Sequence, residues 1–206
     1  MPGISEILPG IITWSEFSEE KQLNFNGYFM RCGDDSVLID PAQMDEETLQ
    51  DLHVTVERFP DQELRGIYLT NVHHERMSRQ LADQFGVPLW IHEKDKDLLE
   101  TPPNRTFKDG DTLPCGLVVV GLQDQKSPGE SCFYQADQKI LFVGDALIGK
   151  VPGKVNQLPA DKFKDIAKAC AGLRVLLEYD FEALLLGDGE PIVTGGRQAL
   201  SEFLDT

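Results

Sequence analysis

The chain has 206 residues, with 19 Lys and Arg against 35 Asp and Glu, and a formal net charge of −16. This length predicts a single domain over residues 1–206, and a chain of this size can bury enough surface to fold without a structural metal. The acidic balance argues against a nucleic-acid partner, because such binding requires Lys and Arg against phosphates. The apolar runs fall short of the roughly 20 residues that span a bilayer, so we expect no membrane partner.

The cysteines and the N-terminal segment indicate where the protein works. Cys32, Cys115, Cys132 and Cys170 have the spacing of neither a zinc knuckle nor a thioredoxin motif. We therefore expect four free thiols in a reducing compartment. The first residues contain no basic segment followed by a long apolar core, so we expect no secretion signal and a cytoplasmic location.

The first half of the chain alternates strand and helix signals. The stretches "GIITWSEF", "LNFNGYFMRC" and "SVLID" predict strands, with a turn at "GDD". Helical spacing of apolar residues predicts a helix over 45–58, followed by a strand at "GIYLT". A second helix over 76–85 ends at Gly86, before a strand at "VPLWIH". This β-α-β-α-β order predicts parallel strands with helices packed on the faces.

The second half repeats a strand-then-helix order. Residues 101–116 predict a loop, and "LVVVGL" and "SCFYQADQKILFVGD" predict strands. Asp161 is the predicted cap of a helix through Leu177, and Thr194 that of a final helix through Phe203. The strand "ALLLGDGEPI" lies between these helices. We expect an α/β fold in which two sheets form a sandwich with helices outside.

Polar clusters follow four of the predicted strands. They are Asp40 in "LIDPA", residues 71–76 in "TNVHHER", Asp145 in "LFVGDALIG" and Asp188 in "LLLGDGEP". A fifth cluster, "DQKSPGES" at 124–131, precedes a strand. Ligands of open α/β sheets bind beyond the carboxyl ends of strands, so these clusters are the candidate site.

These stretches resemble the metallo-β-lactamase superfamily over almost the whole chain. "NGYFMRCGDDSVLIDPA" is similar to the family's opening hairpin, "LTNVHHER" to its T-H-x-H-x-D-H loop and "KSPGES" to its H-T-P-G-S loop. "ILFVGDALIG" resembles its aspartate strand and "LLLGDGEP" its closing G-H-G. The resemblance implies a four-layer αβ/βα sandwich of mixed α and β class.

The resemblance also implies a site for two metal ions, but most of the ligands are replaced. The family-equivalent positions retain only two ligands of the expected type, His73 and Asp145. The complete set in this chain is Asn71, His73, Glu75, Arg76, Lys126, Asp145 and Asp188. Two of the replacements are cations, and neither Arg nor charged Lys can donate a lone pair to a metal. If Arg76 and Lys126 point inward, they take the place of the metals, whereas the alternative for Arg76 is a solvent-facing residue.

Three functions are compatible with these residues. The first is a non-catalytic or strongly diverged member of the family that binds an unidentified small molecule without a metal cofactor. The second is a metal-dependent hydrolase with one divalent ion on His73, Glu75, Asp145 and Asp188, a donor set that favours Mn, Fe or Mg over Zn. Lys126 would then stabilise an oxyanion. The third is a metal-free enzyme that uses Lys126 or His73 as an acid or base.

The remaining polar residues have less specific interpretations. Asp40 resembles the family's aspartate that orients the metal loop, although it could equally accept backbone N–H groups. His74, at the variable position of its loop, is expected at the surface or in packing, and His53 and His92 are expected to be structural. A group of lysines forms either a solvated helix face or an anion-collecting surface: Lys150, Lys154, Lys162, Lys164 and Lys168. The sequence specifies neither the ligand nor the oligomeric state.

Overall fold

Two mixed β-sheets form the centre of the fold in a computed structural model that describes residues 3–58 and 62–205. Residues 1–2, 59–61 and 206, which the predicted domain includes, lie outside the described residues. The first sheet has seven strands in the order β1-β2-β3-β4-β5-β6-β7. These strands are β1 (Ser5–Leu8), β2 (Ile11–Ser18), β3 (Leu23–Cys32), β4 (Asp35–Ile39), β5 (Glu63–Tyr68), β6 (Leu89–His92) and β7 (Arg105–Phe107).

The second sheet has five strands in the order β14-β11-β10-β9-β8. They are β8 (Thr112–Leu113), β9 (Leu117–Gly121), β10 (Ser131–Gln135), β11 (Ile140–Val143) and β14 (Ala183–Leu186). Strands β12 (Ile148–Val151) and β13 (Lys154–Asn156) form a separate hairpin. In each large sheet the strands nearest the candidate site run parallel, β4 with β5 and β11 with β14. Their carboxyl ends therefore lie on one side of the molecule.

Within the described parts of the chain, four α-helices cover the outer faces of the sheets. They are α1 (Glu46–Glu57), α2 (Ser78–Phe85), α3 (Ile166–Gly172) and α4 (Gly196–Leu204). Helix α1 begins where the sequence predicts, because the Asp45 side chain accepts a hydrogen bond from the Thr48 backbone N–H at 2.8 Å. Helix α2 ends at Gly86, whose φ of 65° is the left-handed conformation that glycine adopts without strain.

Three apolar clusters hold the layers together. Tyr28 and Ile39 of the first sheet pack with Phe142 and Leu185 of the second, which fills the space between the sheets. Helices α1 and α2 pack on the other face of the first sheet, and α3 and α4 on that of the second. The order helix, sheet, sheet, helix confirms the predicted four-layer αβ/βα sandwich.

Several local expectations are corrected by the structure. The predicted loop 101–116 contains the short strands β7 and β8, and the hairpin β12–β13 has no counterpart in the sequence prediction. Asp165, not Asp161, caps α3 by accepting a hydrogen bond from the Lys168 N–H, and residues 173–178 continue as a 3₁₀ helix. Gly195, not Thr194, precedes α4, with a φ of 76° and no side-chain cap.

The expectation of four free thiols is also wrong. Cys32 and Cys115 form a disulfide, with Cα atoms 5.3 Å apart and 83 residues between them in sequence. The bond joins the end of β3 in the first sheet to the turn that leads into β9 in the second. Cys132 and Cys170 remain free. Within the described residues, no helix is both long and apolar enough to cross a membrane.

Candidate functional site

The base of the site is a hydrogen-bonded group at the ends of β4 and β5. Asp40 is 2% exposed and has a φ of 45°. One of its carboxylate oxygens accepts the Thr70 backbone N–H at 2.8 Å, and the other accepts the Thr70 hydroxyl at 2.6 Å. The second oxygen also lies 2.8 Å from Nδ1 of His74. Because a carboxylate only accepts, His74 carries a proton on Nδ1 and turns Nε2 toward the cavity. Asp40 thus accepts a backbone N–H, as one of its two interpretations expects, and the same carboxylate also contacts the Thr70 hydroxyl and the His74 ring.

His74 is the histidine that lies inside the site, contrary to the sequence expectation. It is 1% exposed, and Nε2 lies 3.5 Å from Oδ1 of Asp145 and 3.8 Å from Oδ1 of Asp188. The residues Val72–His74 form a 3₁₀ turn, which rotates His74 inward and leaves His73 exposed at the cavity mouth. Although His73 is exposed to solvent, nearby protein atoms partly desolvate its ring, and this desolvation and the neighbouring Lys126 lower the pKa of His73.

The space around His74 is fixed by a glycine in the last site loop. A Cβ atom on Gly187 would lie 2.5 Å from Cε1 of His74, closer than real contacts allow. The glycine of "LLLGDG" therefore lets the chain after β14 pass directly beside the imidazole. This close approach also brings Asp188 to the cavity, where it is 7% exposed.

Two cations point into the site and pair with its carboxylates. Nη2 of Arg76 lies 2.6 Å from Oδ1 of Asp188, and Nζ of Lys126 lies 2.6 Å from Oδ2 of Asp145. The Arg76 side chain is 11% exposed, so the solvent-facing alternative is wrong. Arg76 also donates to the Asn26 carbonyl at 3.2 Å, and its guanidinium lies 4.7 Å from the centre of the Phe25 ring.

These contacts shift the pKa values of the groups at the centre. Burial would raise the pKa of Asp145, but His74 and Lys126 outweigh it and hold this pKa well below its usual range. Burial and Arg76 would lower the pKa of His74, but Asp40 and Asp145 together raise it to about 10. Protonated His74, Arg76 and Lys126 thus face the carboxylates of Asp40, Asp145 and Asp188.

Asn71 and Glu75, two of the family-equivalent positions, lie outside this centre. The side chain of Asn71 accepts the His73 N–H at 2.8 Å and donates to Glu130 at 3.2 Å, so it supports the turn. Glu75 accepts the backbone N–H of Glu100 at 3.1 Å and lines a different surface depression. The predicted ligand set of His73, Glu75, Asp145 and Asp188 is therefore not brought together as a whole.

The structure brings together a different set of metal-ligating groups. Among the described residues, one cluster of three has ligand atoms all within 4.8 Å of one another, namely His74, Asp145 and Asp188. His74 Nε2 is buried and has no hydrogen-bond partner among these residues. The adjacent histidines in "HH" were the signal for this site, but the sequence does not show which of them a 3₁₀ turn places inside.

Two further acidic residues that the sequence analysis missed support the site loops. Asp95 is fully buried and accepts hydrogen bonds from the Val72 N–H at 3.1 Å, the Gly129 N–H at 2.7 Å and the Ser127 hydroxyl. It ties the two loops that carry His74 and Lys126. Glu130 is also buried, and this burial, together with Asp145, raises its pKa well above its ordinary value.

The remaining sequence-predicted residues lie at the periphery. His53 packs against Phe85 with the rings tilted and their centres 4.5 Å apart, and the buried His92 accepts the Lys94 N–H at 3.2 Å. Of the five lysines in the basic stretch, Lys150 and Lys162 line the cavity. The cavity has a volume of about 560 Å³, and His73, Lys126, Asp145 and Asp188 all contribute to its wall.

A two-sheet sandwich with polar loops at one edge defines the class of protein. The family model of the metallo-beta-lactamase superfamily matches residues 5–206, and the chain belongs to this superfamily. Among sequence relatives, an uncharacterized protein of Mycobacterium leprae is 24% identical over 202 residues, which cover 85% of this chain and 90% of the relative.

Solved structures of low sequence identity share the fold. A metallo-beta-lactamase from Pontibacter korlensis is similar with a TM-score of 0.78 and 18% identity, covering 98% of this chain and 96% of that one. The DIM-1 metallo-beta-lactamase is similar with a TM-score of 0.79 and 16% identity, covering 99% of this chain and 98% of that one. At these identities the similarity establishes the fold alone.

Proposed function

We propose that this chain is a small-molecule-binding member of the superfamily in which side-chain cations replace the metal ions. One observation carries the proposal. Both carboxylates of the candidate metal cluster are already paired, Asp188 with Arg76 and Asp145 with Lys126, each at 2.6 Å. The protein would then bind its ligand in the adjoining cavity without metal-dependent hydrolysis.

Electrostatics favours the ion pairs over a dinuclear metal site. The Arg76 guanidinium does not deprotonate in proteins, and neither it nor the Lys126 ammonium can ligate a metal. Oδ1 of Asp188, the oxygen nearest His74, is also the oxygen that Arg76 binds. A metal at this position would have to break that pair and lie beside two fixed positive charges. The residues present therefore do not fit a pair of divalent ions.

The number of residues able to ligate a metal also argues against a pair of divalent ions. Of the seven family-equivalent positions, Arg76 and Lys126 cannot bind a metal, and Asn71 and Glu75 make their hydrogen bonds elsewhere. Of the seven, Asp145 and Asp188 remain in the converging cluster, and His74, which is not one of the seven, takes the place expected for the exposed His73. Three donors are too few to hold two ions with ordinary coordination.

A direct test is the metal content and metal response of the purified parent protein. After treatment with a chelator and removal of the chelator, we expect less than stoichiometric metal by elemental analysis. We also expect no rise in melting temperature on addition of Zn, Mn or Mg, because a ligand that binds only the folded state would raise it. One tightly held equivalent of metal would overturn the proposal.

The buried His74 Nε2 atom, which has no hydrogen-bond partner among the described residues, favours a second candidate, a hydrolase with one metal ion that would displace the proton from this nitrogen. The ring nitrogen faces Oδ1 of Asp145, which is not the oxygen that Lys126 binds. Two carboxylates and one imidazole form a harder donor set than histidines alone, which would favour Mn, Fe or Mg over Zn. For this candidate, added Mn would stabilise the parent and His74→Ala would abolish the stabilisation.

A further inference from the structure

The wall of the cavity beyond the ion pairs carries two lysines that the paired cluster does not use. Lys150 lies in β12, and Lys162 lies in the 3₁₀ turn Ala160–Lys162. Although these lysines are separated in sequence, the fold places both on the cavity that also contains Lys126 and Asp145. This placement makes them a feature of the cavity wall, and not merely part of the solvated helix face that the sequence allowed.

The charges of the cavity wall leave a small positive excess. The charge of protonated His74 is balanced by Asp40, which lies behind the cavity wall. Apart from His74, the described residues of the wall include five cations and four carboxylates. Three of these cations form ion pairs with three of the carboxylates: Lys21 with Glu20, Arg76 with Asp188 and Lys126 with Asp145. Of the described residues in the wall, Lys150, Lys162 and the carboxylate of Glu16 are then left outside these ion pairs. Among the described residues Lys150 has no ion-pair partner within 4.0 Å, and Lys162 contacts only the exposed Asp161, at 3.4 Å.

The same cavity has an apolar side. Ile148 is buried, and Leu23, Phe25 and Leu158 are half-buried along the wall. Phe25 lies under the Arg76 guanidinium, so its ring joins the apolar side to the ion-pair cluster. A volume of about 560 Å³ lies within the range of sites that bind small organic molecules.

We propose that the ligand of this cavity is an organic monoanion with an apolar body, held by Lys150 and Lys162 at its charged end. This inference rests on the proposed metal-free binding function. The chain as a whole carries a formal net charge of −16, which repels anions, so a local excess of lysine is needed to hold one. The apolar residues add affinity that a small inorganic anion cannot obtain, because it buries no apolar surface.

The test is calorimetric titration of chelator-treated protein at pH 7 with octanoate, acetate, inorganic phosphate and octylamine. We expect octanoate to bind more tightly than acetate or phosphate, and octylamine not to bind. Equal affinity for phosphate and octanoate would overturn the inference, since the apolar wall would then contribute nothing. Binding of octylamine with the same affinity as octanoate would overturn the inference, because the cavity would then not distinguish a negatively charged ligand from a positively charged one.

A pair of matched variants locates the charged end. Lys150→Gln/Lys162→Gln should weaken octanoate binding about tenfold or more, the usual effect of losing charge-assisted hydrogen bonds. Lys154→Gln/Lys164→Gln removes the same net charge from exposed lysines outside the cavity wall and should leave the affinity unchanged. Equal weakening by both double variants would contradict the assignment, because general surface charge would then explain the binding.

Metal titration of the same samples separates this inference from the proposed function. A parent that binds Zn or Mn overturns the metal-free function. A parent that binds neither metal nor octanoate overturns only the assignment of the ligand class.

Discussion

The ammonium group of Lys126 lies 2.6 Å from a carboxylate oxygen of Asp145, and the Asp145 side chain is 4% exposed. A second pair of 2.6 Å, between Lys139 and Asp180, lies in solvent, with side chains 54% and 75% exposed. The two pairs have the same length but very different surroundings. Comparing variants of the two pairs therefore separates the effect of burial on protein stability from the effect of losing a charge.

Loss of the buried cation should destabilise the protein. Lys126→Met leaves the Asp145 carboxylate buried without its partner, so we expect the free energy of unfolding to fall by about 1–3 kcal/mol. Lys139→Met is the matched control and should unfold like the parent, because exposed ion pairs contribute little. Urea unfolding of the three proteins measures both effects. Equal losses of unfolding free energy in the two variants would show that the burial of Asp145 does not increase the contribution of its ion pair to stability.

The shifted pKa of His74 predicts a pH dependence of stability. Its pKa is raised from 6.5 to about 10, so protonated His74 stabilises the fold fully below pH 6.5 and loses this effect as the pH rises through about 10. The pKa of Asp145 is lowered from 3.8, so its contribution is present above that pH and is lost in acid. The difference in unfolding free energy between the parent and His74→Gln should therefore shrink from pH 6.5 to 10. A difference that stays constant over this range would contradict the assignment of a proton to His74.

Asp95 should act as the tie between the two site loops. Asp95→Ala removes the acceptors of the Val72 N–H, the Gly129 N–H and the Ser127 hydroxyl. We expect a loss of about 1–3 kcal/mol in stability and faster hydrogen exchange at the Val72 and Gly129 amides. Asp109→Ala, which removes an exposed carboxylate that accepts the Gly121 N–H at 2.7 Å, should cost less and leave the Val72 and Gly129 amides protected. Unchanged hydrogen exchange at the Val72 amide in Asp95→Ala would contradict the role of Asp95 in joining the two loops.

The disulfide should make stability depend on redox conditions. Cys32 and Cys115 close a chain segment with a sequence separation of 83 residues, for which loop-closure entropy predicts about 4.5 kcal/mol of stabilisation. Reductant should lower the urea midpoint of the parent but not that of Cys32→Ser/Cys115→Ser. Cys170→Ser, which changes a free thiol, should respond to reductant like the parent. Identical midpoints for the parent and the double variant would contradict a stabilising bond.

Much of the fold could be predicted because local signals and the global fold agree. Asp45 precedes the apolar spacing of α1 and caps it, and Gly86 ends α2 in a left-handed conformation. The caps of the last two helices were misplaced, because aspartates at 161 and 165 are both plausible caps and the 3₁₀ turn at Ala160–Lys162 separates the first from α3. The disulfide leaves no signature in sequence, since its cysteines meet only when the two sheets pack.

The site was predictable where strand ends set the position of a side chain. Asp145 and Asp188 follow neighbouring parallel strands, so the fold brings them together. The choice between His73 and His74 depended on a 3₁₀ turn of three residues, whose rotation the sequence does not reveal. Asp95 and Glu130 were missed because their roles depend on contacts between loops that are distant in sequence.

The central claim is that Arg76 and Lys126 stand where metal ions would otherwise bind. The most direct measurement is calorimetric titration of Zn and Mn into the parent and into Arg76→Gln/Lys126→Gln. The account predicts no binding to the parent and measurable binding to the double variant, because His74, Asp145 and Asp188 then lose their competing cations. Metal binding to the parent at an affinity equal to that of the double variant would contradict the claim.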